Sequence, residues 1–205
     1  VTYLELEFTD AEKVLIDAAW LDGVLDWSSE SLMPIRSKIR IHHRLLQKDS
    51  CCYCKKDFAD DHPLAVDIEH VLPKSKYKGL AICRVNLSVA CKRCNMRIKK
   101  DRQDFIIGGM DFSSEDEASD PGRYLIIHPN LDVYADHIGV KLIKLEELLL
   151  RRYVKVDSSL KAQYTIEYFD LRSLEVDELD ELQGIEGMDG SDRANLIRLL
   201  LGPTD

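Results

Sequence analysis

Cys51-Cys52-Tyr53-Cys54 opens, and Cys91-Lys92-Arg93-Cys94-Asn95 closes, the stretch on which the reading of this chain turns. A CxxC pair aims two thiolates at one ion, and two such pairs complete a tetrahedral zinc shell with no position left for a substrate. Cys51, Cys54, Cys91 and Cys94 are therefore read as ligands of a structural Zn2+. Chemistry then has to come from the polar residues between and beside the knuckles, which are Glu69-His70, Asn86 and Asn95.

Working outward, the 205 residues carry a formal charge of −9, which argues against nucleic acid until the charge is mapped. From Pro34 to Asp104 there are 17 Lys and Arg against 8 Asp and Glu, a net +9, while the rest of the chain holds 11 against 29, a net −18. A basic centre of this kind is an electrostatic footprint for a phosphate backbone, and the acidic flanks suit solubility or a protein partner. No apolar run approaches the ~18–20 residues of a membrane helix, and no signal segment opens the chain, so a cytoplasmic address with no membrane contact is expected. Four of the six cysteines lie in CxxC pairs, which points to metal in a reducing compartment; Cys52 and Cys83 read as buried thiols, with auxiliary redox or metal roles as the alternative.

Thr9-Asp10-Ala11-Glu12 has the form of a capping box, followed by Val14, Leu15, Ala18 and Leu21 at helical spacing. Pro34 starts a second helix with Ile35, Ile39, Leu45 and Leu46 as its apolar side and Arg36, Lys38, Arg40, His43, Arg44 and Lys48 as a solvated face or a positive flank for nucleic acid. Strands are expected over Val66–Leu72 and Asn86–Ala90, and a helix from Asn95 to about Gln103 packed through Met96, Ile98 and Phe105. Phe112 to Gly122 is acidic and reads as a mobile loop. Tyr124-Leu-Ile-Ile reads as a short strand, Val140 to Leu150 as strand or helix, and Ser159–Tyr168, Leu174–Leu182 and Arg193–Leu201 as helices.

Cys-x-Tyr-Cys, Glu69-His-Val-Leu-Pro-Lys-Ser, Asn86-Leu and Cys-x-x-Cys-Asn95, in this order, resemble the HNH endonuclease family with its ββα-metal fold. Asp67-Ile-Glu-His, Ile127-His-Pro-Asn and Tyr164-Thr-Ile-Glu-Tyr-Phe-Asp-Leu-Arg are further similar to the HNH subunit of Septu-type and retron-associated antiphage systems, which is paired with an ABC-type ATPase. The resemblance implies an α+β fold: a ββα-metal core with the four-cysteine zinc site, flanked by N-terminal helices and a mostly helical C-terminal tail. The expected organisation is residues 1–50 as the helical segment, 51–107 as the core, 108–122 as the acidic loop and 123–205 as the tail that docks a partner.

The resemblance also implies that Glu69 and Asn95 bind a catalytic Mg2+ or Mn2+, that the segment curls so Glu69 and His70 share that ion, and that Asn86 ties down the loop and orients His70. Glu in place of Asp or His before the base, and Asn in place of a closing His, are this chain's departures from the commonest pattern. Hydrolysis of a phosphodiester needs a water deprotonated, and a neutral imidazole at His70 is the candidate base. Asp67 is open between a partner for His70, a carboxylate that supports the ion's ligands from behind, and a solvent-facing strand residue. Lys74, Lys76, Lys78, Arg97, Lys99 and Lys100 are candidates for backbone phosphates. The function expected is a metal-dependent endonuclease, with DNA as the default substrate, acting in antiphage defence beside an ATPase. A ribonuclease or tRNA-cleaving toxin, and a non-catalytic zinc module, are the rival readings.

Overall fold

The computed structural model describes residues 6–58, 66–109, 111–145 and 148–175. The chain divides into two units, Val1–Val133 and Tyr134–Asp205, so the boundaries expected near residues 50, 107 and 122 all fall within the first. Helices mix with small antiparallel sheets, an α+β arrangement. Among the described residues no helix is long and apolar enough to cross a membrane.

Helix α1 (Asp10–Ala18) begins as its sequence dictates: Thr9 Oγ1 accepts from the Glu12 amide while the Thr9 amide donates to Glu12 Oε2 at 2.8 Å. Its buried face is Ile16 with Ala19, one step from the expected set, and Val14 lies exposed. A two-residue hairpin, β1 (Trp20–Leu21) and β2 (Val24–Leu25), turns on Asp22 and Gly23, both at positive φ. Helix α2 (Met33–Leu46) carries Pro34 in its first turn and buries Ile35, Ile39 and His43 at four-residue spacing. Leu45 was expected inside and His43 outside; the structure exchanges them, with Leu45 exposed and His43 buried. Lys38 bonds Glu12 at 2.6 Å and Arg36 holds the carbonyls of Trp27 and Ser29, so these two cations tie the N-terminal elements together and do not form a free positive flank.

Strands β3 (Val66–His70) and β4 (Leu87–Cys91) pair antiparallel, with Val66 opposite Cys91 and His70 opposite Leu87. Gln47, just past α2, clamps this hairpin: its amide nitrogen donates to Ser50 O and Val89 O, and its oxygen accepts from Ser88 Oγ and the Val89 amide. Leu32, Ile35, Ile39, Ala81 and Leu87 form the centre of the core between helix and hairpin.

After β4 the chain does not form the expected α-helix to Gln103. Arg93–Lys99 is a π-helix, ended by Lys100 at φ 52°. Wide turns of this kind recur at functional sites. Met96 is exposed, whereas Phe105 is buried as expected. The acidic stretch is folded down rather than loose, because it is not uniformly polar. Phe112 stacks on Tyr124 with ring planes 6° apart, Ala118 is buried, and Ser114 caps α3 (Glu115–Ala118). Tyr124, Ile126 and Ile127 are buried and Leu125 is half-buried, and among the described residues the run makes one bridge, Ile106 to Tyr124.

Within the second unit the described residues are not mostly helical. Its described residues form a hairpin of β5 (Ile138–Leu145) and β6 (Leu148–Lys155), followed by α4 (Leu160–Tyr168) capped by Ser159. Arg172 and Glu175 close on β6, with Arg172 donating to Tyr153 O and Glu175 accepting from the Tyr153 amide. The helix expected over Leu174–Leu182 lies mostly, and that over Arg193–Leu201 wholly, outside the described residues.

Candidate metal centre and adjoining hairpin face

Cys51, Cys54, Cys91 and Cys94 converge, with all four sulfurs within 4.8 Å of one another, all buried and none in a disulfide. Cys54 and Cys91 stand 3.7 Å apart. A tetrahedron with Zn–S of about 2.3 Å has edges of about 3.8 Å, so this spacing fits zinc. The first knuckle is drawn toward β4 by Cys52 N bonding Val89 O, and the Cys91 amide donates to Cys51 Sγ. Without a cation the cluster divides its protons. Burial opposes ionisation of Cys51, yet hydrogen bonds from its neighbours carry it well below the usual thiol range, while those same bonds hold Cys54 and Cys94 above it. A zinc ion would remove that conflict by taking all four as thiolates. Cys52 is buried but outside the cluster, and Cys83 is only partly buried.

Glu69 and His70 leave β3 on opposite sides, as successive strand residues do, and the ladder is regular through both. The curl expected from the resemblance is absent. Glu69 is wholly buried; its Oε1 accepts from Tyr53 Oη at 3.0 Å and pairs with Lys99 Nζ at 2.8 Å. Burial pushes the Glu69 carboxyl above its ordinary range, against the pull of Lys99. Asn95 donates instead to Asp67 Oδ2 at 3.2 Å, so Asp67 is the partner of Asn95 and not of His70. A hard divalent ion needs oxygen donors with room for water and phosphate. Glu69, sealed and already neutralised by an ammonium, does not fit that requirement, and the expected Glu69–Asn95 ion site is not formed.

His70 lies on the other face. Its Nε2 is 3.1 Å from Ala81 O, and its ring meets Trp27 edge-on at 4.6 Å. A carbonyl only accepts, so the neutral ring carries its proton on Nε2 and its lone pair on Nδ1. Burial, with the nearby Lys74 charge adding to it, pulls the His70 pKa down to about 3. Asn86 is buried with both ends satisfied by main chain: Oδ1 accepts from the Leu72 amide at 2.6 Å, and Nδ2 donates to Leu72 O and Leu80 O. It thereby fixes Leu80 beside the Ala81 carbonyl that His70 uses. Asn86→Ala is expected to cost roughly 3 kcal/mol, because three buried bonds are lost and their main-chain partners stranded. A melting midpoint lower by roughly 6–12 °C would follow; a shift below about 2 °C would contradict the staple.

Of the expected phosphate contacts, Lys74, Lys76, Lys78, Arg97 and Lys100 are exposed. Lys99 is not: it is 1% exposed and committed to Glu69 and to the His70 carbonyl. Three contributors were not read as site residues: Trp27, Gln47 and Asn130, whose Nδ2 bonds the carbonyls of Val85 and Leu87 at the start of β4. The His128-Pro-Asn130 turn was the legible signal for the last of these.

No family model matches the chain, and no solved structure matches it. Over 130 residues it is 26% identical to a Septu protein PtuB from Bacillus thuringiensis, an alignment that takes in 63% of this chain and 39% of the relative. The chain thus spans about two-fifths of the length of that curated relative and is similar to it at a distance.

Proposed function

We propose that the chain is the nuclease of an antiphage defence system akin to Septu, hydrolysing phosphodiester bonds on a zinc-clamped ββα-metal scaffold of the HNH endonuclease kind. The observation that carries the reading is His70: a neutral imidazole fixed in one tautomer, on a hairpin clamped by four thiols, beside an exposed lysine. Nδ1 takes the proton of the attacking water. Lys74, exposed and close enough to act on the ring, draws the scissile phosphate toward that nitrogen. Asn86 and Trp27 position the imidazole without touching substrate. Zinc supplies no reaction step; it holds the second knuckle against the hairpin. The resemblance makes an ABC-type ATPase the expected protein partner.

The non-catalytic zinc module is favoured by one observation, the sealing of Glu69 by Lys99. The readings separate when the chain, with its partner, is incubated with labelled DNA and RNA in Mg2+, Mn2+ or EDTA. Cleavage of DNA is expected; cleavage of RNA alone means a toxin-like ribonuclease; binding without cleavage means the module. Binding should also be salt-dependent. Five exposed cations meeting five phosphates give an affinity loss on the order of 500-fold between 50 and 200 mM salt, and a flat response contradicts the basic face.

A further inference from the structure

Resting on that reading only for the role of His70, we propose that Glu69 and Lys99 form a permanent internal ion pair that positions His70, so that the cation matched to Glu69 is an ammonium of this chain and not a divalent ion. Both zinc knuckles feed the pair. Tyr53, between Cys51 and Cys54, donates to Glu69 Oε1, and Lys99 lies on the π-helix that begins at the second knuckle. Lys99 Nζ reaches Glu69 at 2.8 Å, the His70 carbonyl at 2.8 Å and Lys100 O at 3.4 Å, which engages all three of its donors. Its ammonium also sits 5.8 Å from the centre of the Phe105 ring.

Glu69 Oε2 is buried without a hydrogen bond, but the carboxylate charge is shared by both oxygens and Lys99 neutralises it. A divalent ion at the same carboxylate would meet the ammonium in a space closed to water, where repulsion is little screened. The chain of contacts from Tyr53 through Glu69 and Lys99 to the His70 main chain makes Glu69 and Lys99 positioning residues for the imidazole. Removing one partner strands a buried charge, whereas replacing both with neutral side chains does not.

The test uses the zinc-loaded full chain and the variants Glu69→Gln, Lys99→Met and the two combined. Each single substitution is expected to lower the melting midpoint by about 10 °C, and the pair to recover most of that loss. A double variant that melts or folds no better than the singles overturns the pairing. Free Mn2+ followed by electron paramagnetic resonance should be the same for Glu69→Gln as for the parent. Loss of Mn2+ binding in Glu69→Gln together with a gain in Lys99→Met would return Glu69 to an ion ligand. The ring 15N resonances of His70 should move from one tautomer toward a mixture in Lys99→Met; unchanged resonances rule out positioning. None of these readouts needs nucleic acid, so a coupled pair in a chain that cuts nothing refutes the nuclease reading and leaves this one standing.

Discussion

His70→Ala is expected to lower kcat for phosphodiester cleavage by about 10²–10⁴-fold, the usual contribution of a positioned acid–base group. Zinc content should stay at the parent level, because the four sulfurs do not involve His70. The reason for so large an effect is that the imidazole is prepared for one task. Ala81 O fixes the proton on Nε2, Trp27 holds the ring edge, and burial keeps it neutral. The same burial sets the pH response. The folded-state pKa lies below the ordinary 6.5, at about 3, so the imidazole keeps its base form well into acid. The acid limb of kcat/KM should therefore fall below pH 6.5, while stability attributable to this group is lost as pH falls from about 6.5 toward about 3. Persistent cleavage in His70→Ala, or an acid limb above pH 7, would place the base elsewhere.

Cys94→Ala should remove zinc and abolish the cooperative melting of the first unit. Zinc binding in four-ligand structural sites contributes about 10–16 kcal/mol in small peptides, against a whole-domain stability of about 5–15 kcal/mol. Loss of one thiolate leaves three buried thiols without a closed shell and removes the tie between the second knuckle and the first. Cys52→Ala and Cys83→Ala are the informative controls. Cys52 is buried beside Cys51 but outside the cluster, and Cys83 is partly exposed, so neither should change zinc content. An undisturbed melting transition in Cys94→Ala would mean that the thiols are packing residues only.

The parts of this arrangement that were legible in the sequence are those encoded over a few residues. The CxxC spacing gave the cluster, Thr9 and Glu12 gave the start of α1, and Pro34 gave the start of α2. What depends on contacts across the chain was not legible. Lys99 looks like any surface cation until the π-helix turns it under β3. Trp27 acquires its role only because Arg36, nine residues on, pins its carbonyl while its ring meets His70. Glu69 and His70 were expected to converge on one ion, yet the plain alternation of a strand separates them, and the only local cue was that alternation itself. The hairpin from Ile138 to Lys155 was left between helix and strand because its leucine-rich centre suits both equally, and pairing decides between them.

The most direct test is the metal content of the purified chain, read together with the reactivity of its thiols. One zinc per chain is predicted, absent from Cys94→Ala and retained in His70→Ala, with Cys51, Cys54, Cys91 and Cys94 protected from a thiol reagent until a chelator is added. A folded chain that holds no zinc, and whose four thiols react freely without unfolding, would contradict the clamp on which the placement of His70 depends.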